Sequence, residues 1–221
     1  MAMLTTRLNE LDTWDKAVLR RGKEVDDADP LPPQCGAVRK LFLGWFGTDD
    51  AAARSKIRNR IVKAIKKLKR LSDFDFLPDR SSSDYAYVYP NSTERGKYEN
   101  TVHLGSTFWT TDDKTRAGTL IHELSHFVTV GDTDDVGSAQ TDRNAVDFAG
   151  IDLRKYGGTY AAYGGARAAR LAIRNPSLGL NNADSFEFFI EGDEPSPILD
   201  ERGKMDTEGF GDFPNINSNL S

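Results

Sequence analysis

Residues 119–128 constrain the fold of this chain more than any other stretch. His122 and His126 are four residues apart, so on a helix both imidazoles lie on one face and can reach a single metal ion. Glu123 lies about 100° round the helix axis from His122, where its carboxylate can contact a water without binding the metal. Only three histidines occur in 221 residues. This pattern predicts one zinc ion held by His122 and His126, with Glu123 as the general base of a hydrolase.

The residues around this motif predict that it lies on a helix. Apolar residues recur at helical spacing and form one stripe: Leu120, Ile121, Leu124, Phe127 and Val128. Thr110 and Thr111 offer N-cap hydroxyls, Asp112 and Asp113 place negative charge in the first turn, and Gly131 is positioned to end the helix.

Composition and patterning limit the classes of protein. Cys35 is the only cysteine, so no intrachain disulfide can form, and a reducing compartment is permitted. No stretch approaches the roughly 20 apolar residues of a membrane span, and residues 1–23 lack the apolar run of a secretory signal.

Residues 51–71 predict a basic helix, capped by Asp49 and Asp50. Its charges lack interleaved aromatic residues, which favours a solvated face of a core-packed helix, and we expect no nucleic-acid partner.

Two short strands are predicted upstream of the motif. Residues 85–89 alternate apolar and polar positions and end at Pro90, and residues 101–109 lead directly into the motif helix. The second strand is the candidate for pairing with an extended peptide substrate by strand addition. His103 lies within it, and we assign it a structural or surface role rather than a metal role.

The third zinc ligand is expected downstream, because a catalytic zinc takes three protein ligands and no further histidine follows. Residues 130–137 form a turn-rich carboxylate cluster that can fold back on the helix. Here the chain resembles the aspzincin metallopeptidases, the deuterolysin and peptidyl-Lys endopeptidase group, whose third ligand is an aspartate in a Gly-Thr-x-Asp-x-x-Tyr-Gly motif. Alignment on Thr133 puts that ligand at Asp135, with Asp134 and Asp132 as alternatives. The upstream residues 47–50 match more literally, but we interpret them as a helix cap.

The resemblance extends over about residues 38–192 and includes residues 42–50, 85–90, 108–109, 116–127 and 181–189. It implies an α+β, zincin-like fold that is mainly helical, with a small sheet beside the active-site helix. It also implies a zinc metalloendopeptidase with one catalytic ion that acts on protein or peptide substrates. We therefore predict three parts: an N-terminal helical appendage and Pro-rich linker (residues 1–36), a catalytic domain (37–192) and an acidic, flexible tail (193–221).

The chain departs from the family three residues after the third ligand. Family members carry a tyrosine at that position, and this tyrosine is thought to donate a hydrogen bond to the oxyanion. Ser138 occupies this position. Because Tyr163-Gly164 restores the family's spacing to the residues after it, we infer an insertion of about residues 136–162, with a helix near 142–155, and assign Tyr163 to the oxyanion. Tyr156 and Tyr160 are alternatives.

The resemblance also implies a substrate preference. In lysine-specific members, the Asp and Glu of Asn-Ala-Asp-x-x-Glu are associated with the pocket for the residue after the cut, and Asp184 and Glu187 match them. Two carboxylates favour a lysine ammonium. The alternative is that both residues cap or brace the last helix.

Other functions are open at this point. A zinc-containing protein-binding module that has lost catalysis would fit the serine at the tyrosine position, although it has no use for Glu123. A proteolytic toxin or effector acting inside another cell would fit a chain with one cysteine and no leader. We expect a monomer, and secretion over a cytoplasmic location, by family habit or by a signal-independent route.

Overall fold

Helices form most of the fold, which a computed structural model describes over residues 1–21, 32–89, 100–136 and 164–195. Within these ranges the helices are α1 (Ala2–Arg21), α2 (Pro33–Phe46), α3 (Ala51–Leu68), α4 (Asp113–His126), α5 (Gly165–Arg174), α6 (Pro176–Gly179) and α7 (Ala183–Glu191). The strands are β1 (Phe76–Asp79), β2 (Ala86–Val88) and β3 (Val102–Gly105). This confirms the predicted α+β class, mainly helical with a small sheet.

The core lies between α1, α2, α3, α4 and α7. Phe42 of α2 is fully buried at its centre, with ring centroids 5.7 Å from Trp14 of α1 and 5.4 Å from Phe189 of α7. The helix α1 therefore packs into the same core as the helices that follow it. Whether residues 1–36 form a separate unit remains a prediction.

The segment predicted as a linker ends earlier than expected. Helix α2 begins at Pro33, because proline suits the first helical position, where its missing N–H and fixed φ cost nothing. The expectation of a loop up to Gly36 was therefore wrong at its C-terminal end. The rest of that segment, residues 22–31, lies outside the described residues.

Helix α3 corresponds to the predicted basic helix. Asp50 caps it by accepting a 2.8 Å hydrogen bond from the backbone N–H of Ala53, as residues 47–50 suggested. The prediction that its basic face is solvated was only partly right. Three of its cationic side chains are buried: Arg54, Arg60 and Lys67.

The sheet corrects the prediction about substrate pairing. β3 is the central strand, parallel to β1 on one side and antiparallel to β2 on the other. Both of its edges are paired, so it cannot accept a further strand along them. The predicted second strand is also shorter than residues 101–109, because Thr107–Thr110 form a 3-10 turn. It is the edge strand β2 that packs against α4.

Among the described residues, none of the helices combines the length and the apolar character that crossing a membrane requires.

Candidate metal centre

Helix α4 carries the two motif histidines into the interior. It begins after Asp112, whose side chain accepts a 2.9 Å hydrogen bond from the backbone N–H of Thr115. Asp112 is thus the N-cap, in place of the expected Thr110 or Thr111. The helix ends at His126, five residues before the predicted stop at Gly131.

A tight loop returns the chain to this helix after His126. The backbone N–H of Thr133 donates to the carbonyl of Ser125 at 3.2 Å, and Asp134 forms a parallel β-bridge with Asn182. This path brings Asp135 beside the helix. Its Oδ1 lies 3.1 Å from Nε2 of His122 and 3.5 Å from Nε2 of His126.

Two of the three distances among these atoms fit zinc ligands, and His122, Glu123 and His126 also lie close enough together to hold a metal ion. Ligand atoms bound to one tetrahedral zinc at about 2.0 to 2.2 Å lie roughly 3.4 Å from one another. The distances from Asp135 to the two imidazoles match that spacing, and two imidazole nitrogens with a carboxylate oxygen are ligands that zinc accepts. The other two candidates, Asp132 and Asp134, are exposed. The geometry therefore favours Asp135 among the three aspartates.

The second nitrogen of each histidine is held by an acceptor. Nδ1 of His126 donates to the carbonyl of Thr133 at 2.7 Å. Nδ1 of His122 lies 2.8 Å from Oδ1 of Asp184 and 3.1 Å from Oε2 of Glu187. Such contacts favour a proton on Nδ1, so that Nε2 of each ring, the nitrogen that faces Asp135, would be the atom that binds a metal ion.

The contact of Asp184 and Glu187 with His122 was not foreseen from the sequence. Both lie on α7, one turn apart, and their side chains are largely buried. The backbone N–H of Gly164 also donates to Asp184. A carboxylate pair at helical spacing could have indicated this role, because metal-bound histidines usually donate their other N–H to a carboxylate.

Glu123 is buried beside the converging ligands and has an unusual acidity. Burial raises the pKa of Glu123 to about 7; the two imidazoles oppose the rise, and Asp135 and Glu187 add to it. For Asp135, burial acts to raise the pKa, but close contact with His122 and His126 outweighs it and holds the pKa below its usual range. A carboxylate with a pKa near 7 can accept and release a proton near neutral pH.

Sequence reasoning also missed the residues that fix the returning loop. Ser125 is fully buried between the two histidines; its hydroxyl donates to the carbonyl of His122 at 2.7 Å and lies 2.5 Å from the hydroxyl of Thr133. The side chain of Asn182 accepts from the backbone N–H of Val136 at 3.2 Å. A serine within the apolar stripe of a helix was the one signal, since a buried hydroxyl needs partners.

The residues expected at the oxyanion cannot be placed. Tyr163, Tyr156, Tyr160 and Ser138 all lie outside the described residues, as do the expected insertion beyond residue 136 and its helix. The acidic tail is described only to residue 195. There the carbonyl of Asp193 accepts a 2.7 Å hydrogen bond from the indole N–H of Trp45.

Comparison with known proteins gives concordant matches. A family model described as lysine-specific metallo-endopeptidase matches residues 36–149. An extracellular protease from Aeromonas hydrophila is 33% identical over 153 residues, which cover 68% of this chain and 35% of the relative. A peptidyl-Lys metalloendopeptidase from Armillaria mellea is 30% identical over 153 residues, covering 68% of this chain and 34% of the relative. The chain thus spans about a third of the length of these relatives.

One solved structure, a zinc peptidase from Grifola frondosa, aligns with a TM-score of 0.47 and 24% sequence identity. The alignment covers 86% of this chain and 90% of that chain.

Proposed function

The chain belongs to the aspzincin family, whose cofactor is zinc, and on that premise we propose that it is a zinc-dependent endopeptidase. We assign His122, His126 and Asp135 as the zinc ligands and Glu123 as the general base. The observation that carries the proposal is the convergence of two Nε2 atoms and one carboxylate oxygen, at 3.1 and 3.5 Å, beside a buried glutamate.

The side chains around the site suit peptide hydrolysis. When bound, zinc would act as a Lewis acid that polarises the scissile carbonyl and lowers the pKa of water. Glu123 would accept the proton of the attacking water and pass it to the leaving amine. Asp184 and Glu187 would hold the His122 ring in the orientation that directs Nε2 at the metal. Tyr163 remains our assignment for the donor to the oxyanion.

An extended substrate would pair with β2 rather than β3. β2 is an edge strand that packs against α4, and no strand of the described ranges pairs with its outer edge. The backbone groups of Ala86–Val88 are therefore our candidate for binding the main chain of a peptide beside α4.

We further propose a preference for lysine after the scissile bond. The matching family and the Armillaria relative are both described as lysine-directed, and Asp184 and Glu187 lie together on α7. A neutral His122 has one Nδ1 proton to share between these two carboxylates. The remaining negative charge would attract a lysine ammonium.

The name of the Aeromonas relative also supports a location outside the cell. We propose that the protein acts after secretion, on protein or peptide substrates and as a monomer. Fractionation of the culture medium tests the first part, and sedimentation of the purified chain tests the last.

The deciding experiment combines zinc content with a peptide-library digest. The wild type should carry one zinc per chain and cleave before lysine. Glu123→Gln should keep its zinc but lose about 100- to 10,000-fold in kcat/KM, because the proton acceptor is gone. His126→Ala, in contrast, should lose zinc and activity together. Wild-type turnover by Glu123→Gln would refute the assignment, and zinc binding without any cleavage by the wild type would favour a binding module.

A further inference from the structure

Arg60 is a buried cation that lies close to the metal centre without belonging to it. It lies on α3 and is only 3% exposed. Its guanidinium lies over the Phe186 ring, 5.4 Å from the centroid. Within the described part of the chain no carboxylate forms an ion pair with it. Burial lowers the pKa of Arg60 to about 10, which reflects the cost of holding this charge away from water.

The hydrogen bonds of Arg60 reach two separate segments. Nη1 donates to the carbonyl of Leu180 at 2.9 Å, and Nη2 donates to the carbonyl of Gly131 at 3.2 Å. Gly131 lies in the loop that carries Asp135, four residues before it. Leu180 lies three residues before the start of α7, which carries Asp184. One planar guanidinium thus joins the segment of a metal ligand to the segment of the carboxylates that orient His122.

The two segments also pair with each other between these points. The N–H of Asp134 donates to the carbonyl of Asn181 at 3.0 Å, and the N–H of Ala183 donates back to the carbonyl of Asp134 at 3.0 Å. This parallel bridge involves few residues, and Arg60 adds one hydrogen bond to each of its two segments. Arg60 contacts both segments on the same side of the bridge, before Asp134 and before Ala183 in the chain.

The loop is shaped to admit Arg60. A Cβ on Gly131 would lie 2.5 Å from Nε of Arg60 and 2.8 Å from the carbonyl oxygen of Ser125, so no larger residue fits there without a shift. The next residue, Asp132, has φ 49°, the left-handed conformation that reverses the chain toward Asp135. The glycine, the turn and the guanidinium therefore form one unit.

From these contacts we infer that Arg60 is a positioning residue, which holds the Asp135 loop against the start of α7 and thereby sets the zinc affinity of the site. The inference rests on the proposed function only in taking Asp135 as a zinc ligand. It gives a buried arginine, for which the described residues offer no ion pair, a role that an apolar side chain of similar size could not fill.

Arg54 provides a matched control on the same helix. It is also buried, at 8% exposure, but its Nε donates to Asp15 of α1 at 2.7 Å and its guanidinium lies 4.7 Å from the Trp14 ring centroid. Replacing Arg54 should destabilise the fold at the α1–α3 contact. It should leave the loop with Asp135 untouched.

The test compares Arg60→Met, Arg60→Lys and Arg54→Met with the wild type in the full chain. Zinc dissociation constants are measured by chelator competition, geometry by the visible absorption of the cobalt-substituted proteins, and folding by thermal unfolding without metal. Arg60→Met should bind zinc about 10- to 100-fold more weakly, the range typical of residues that support metal ligands, and should change the cobalt spectrum. Arg60→Lys keeps the charge but not the planar fork, so its affinity should be intermediate. Arg54→Met should stay within twofold of the wild type.

The outcomes separate this inference from the proposed function. Zinc binding by Arg60→Met within twofold of the wild type, with the same cobalt spectrum, would overturn the inference alone. An equal loss of affinity in Arg54→Met would also overturn it, because the effect would then be general destabilisation. Should Arg60→Met not fold, Arg60→Lys decides by the same two readings. A wild-type chain that binds no zinc would overturn both proposals.

Discussion

His122 shows how one side chain is divided between two tasks. Its Nε2 faces Asp135 at 3.1 Å, and its Nδ1 faces Asp184 and Glu187 at 2.8 and 3.1 Å. The ring is almost fully buried, so neither nitrogen has water as its main partner. A pair of carboxylates behind a zinc-directed imidazole raises its basicity and fixes its tautomer. In our proposal, the negative charge that exceeds the single Nδ1 proton attracts the lysine ammonium of the substrate.

We predict that Glu187→Gln reduces the lysine preference while zinc binding changes by no more than a few-fold. Glutamine keeps an oxygen that can accept from His122, but it removes the charge that would attract an ammonium. The ratio of kcat/KM for lysine over other residues should fall by roughly 10- to 100-fold, the value of a charge-assisted hydrogen bond. A digest of a mixed peptide library measures it, with the exposed Glu194→Gln as control. An unchanged preference would assign Glu187 to orienting His122 only.

At the element scale, α7 approaches α4 closely at Gly118, the residue of α4 that has no side chain. A Cβ on Gly118 would lie 1.8 Å from Oε1 of Glu191 and 2.6 Å from Oε1 of Glu187. Gly118 thus makes room for two carboxylates from α7, one turn before His122. A glycine in mid-helix costs about 1 kcal/mol relative to alanine, and here the space it leaves explains its presence.

This interface predicts a pH dependence of folding stability. Burial raises the pKa of Glu191 from its ordinary 4.5 to about 8, and the neighbouring Glu187 and Asp193 add to the rise while Lys114 opposes it. The folded state therefore binds the proton more tightly than the unfolded state. The stabilisation is complete below about pH 4.5 and declines as the pH rises towards 8.

Glu191→Gln should remove this decline, because glutamine is neutral throughout. We expect a gain on the order of 2 kcal/mol in the free energy of unfolding at pH 8 relative to the wild type, and little difference at pH 4.5. The full pKa shift would correspond to about 5 kcal/mol, but Glu191 is only partly buried and solvent screens its charge. Urea unfolding at the two pH values measures it. A wild type and a variant that differ by the same amount at both pH values would contradict the prediction. Glu194→Gln, at an exposed site, should show no such pH-dependent gain.

At the scale of the whole molecule, the metal centre joins parts of the chain that are distant in sequence. α4 supplies His122 and His126, the loop supplies Asp135, α7 supplies the carboxylates behind His122, and α3 supplies Arg60. These elements also share the hydrophobic core, which runs from α1 to α7. Cys35 is the only cysteine, so no disulfide within this chain joins these segments, whereas a zinc ion bound as we propose would join α4 to the loop.

Removal of zinc should therefore lower the stability of the whole fold. At a free zinc concentration 1,000 times the dissociation constant, binding contributes about 4 kcal/mol, which corresponds to roughly 10 °C in Tm for a chain of this size. Thermal unfolding with and without a chelator measures it. Glu123→Gln keeps the three ligands, so it should lose the same amount. A Tm that the chelator leaves unchanged would show that the site does not hold zinc in the folded state.

The sequence by itself determined the elements whose information is local. The shared face of His122 and His126 depends only on the helical repeat, so the sequence predicted it directly. The caps at Asp50 and Asp112 depend on residues within one turn, so the sequence predicted each cap to within one or two positions. The family resemblance added Asp135, because a motif carries a long-range contact that periodicity does not.

Tertiary structure alone decided the contacts between distant segments. It made β3 the central strand, so that the free edge beside α4 belongs to β2. It buried Arg60, although the sequence predicted a solvated charged face for α3, and it placed Asp184 beside His122. The physical reason is that strand order and helix packing depend on which apolar faces bury one another, and these faces are far apart in the sequence. Charge and periodicity show only which face of a single segment avoids water. The sequence alone predicted the helix with His122, Glu123 and His126, but it did not predict the contacts from α3 and α7 that position these side chains.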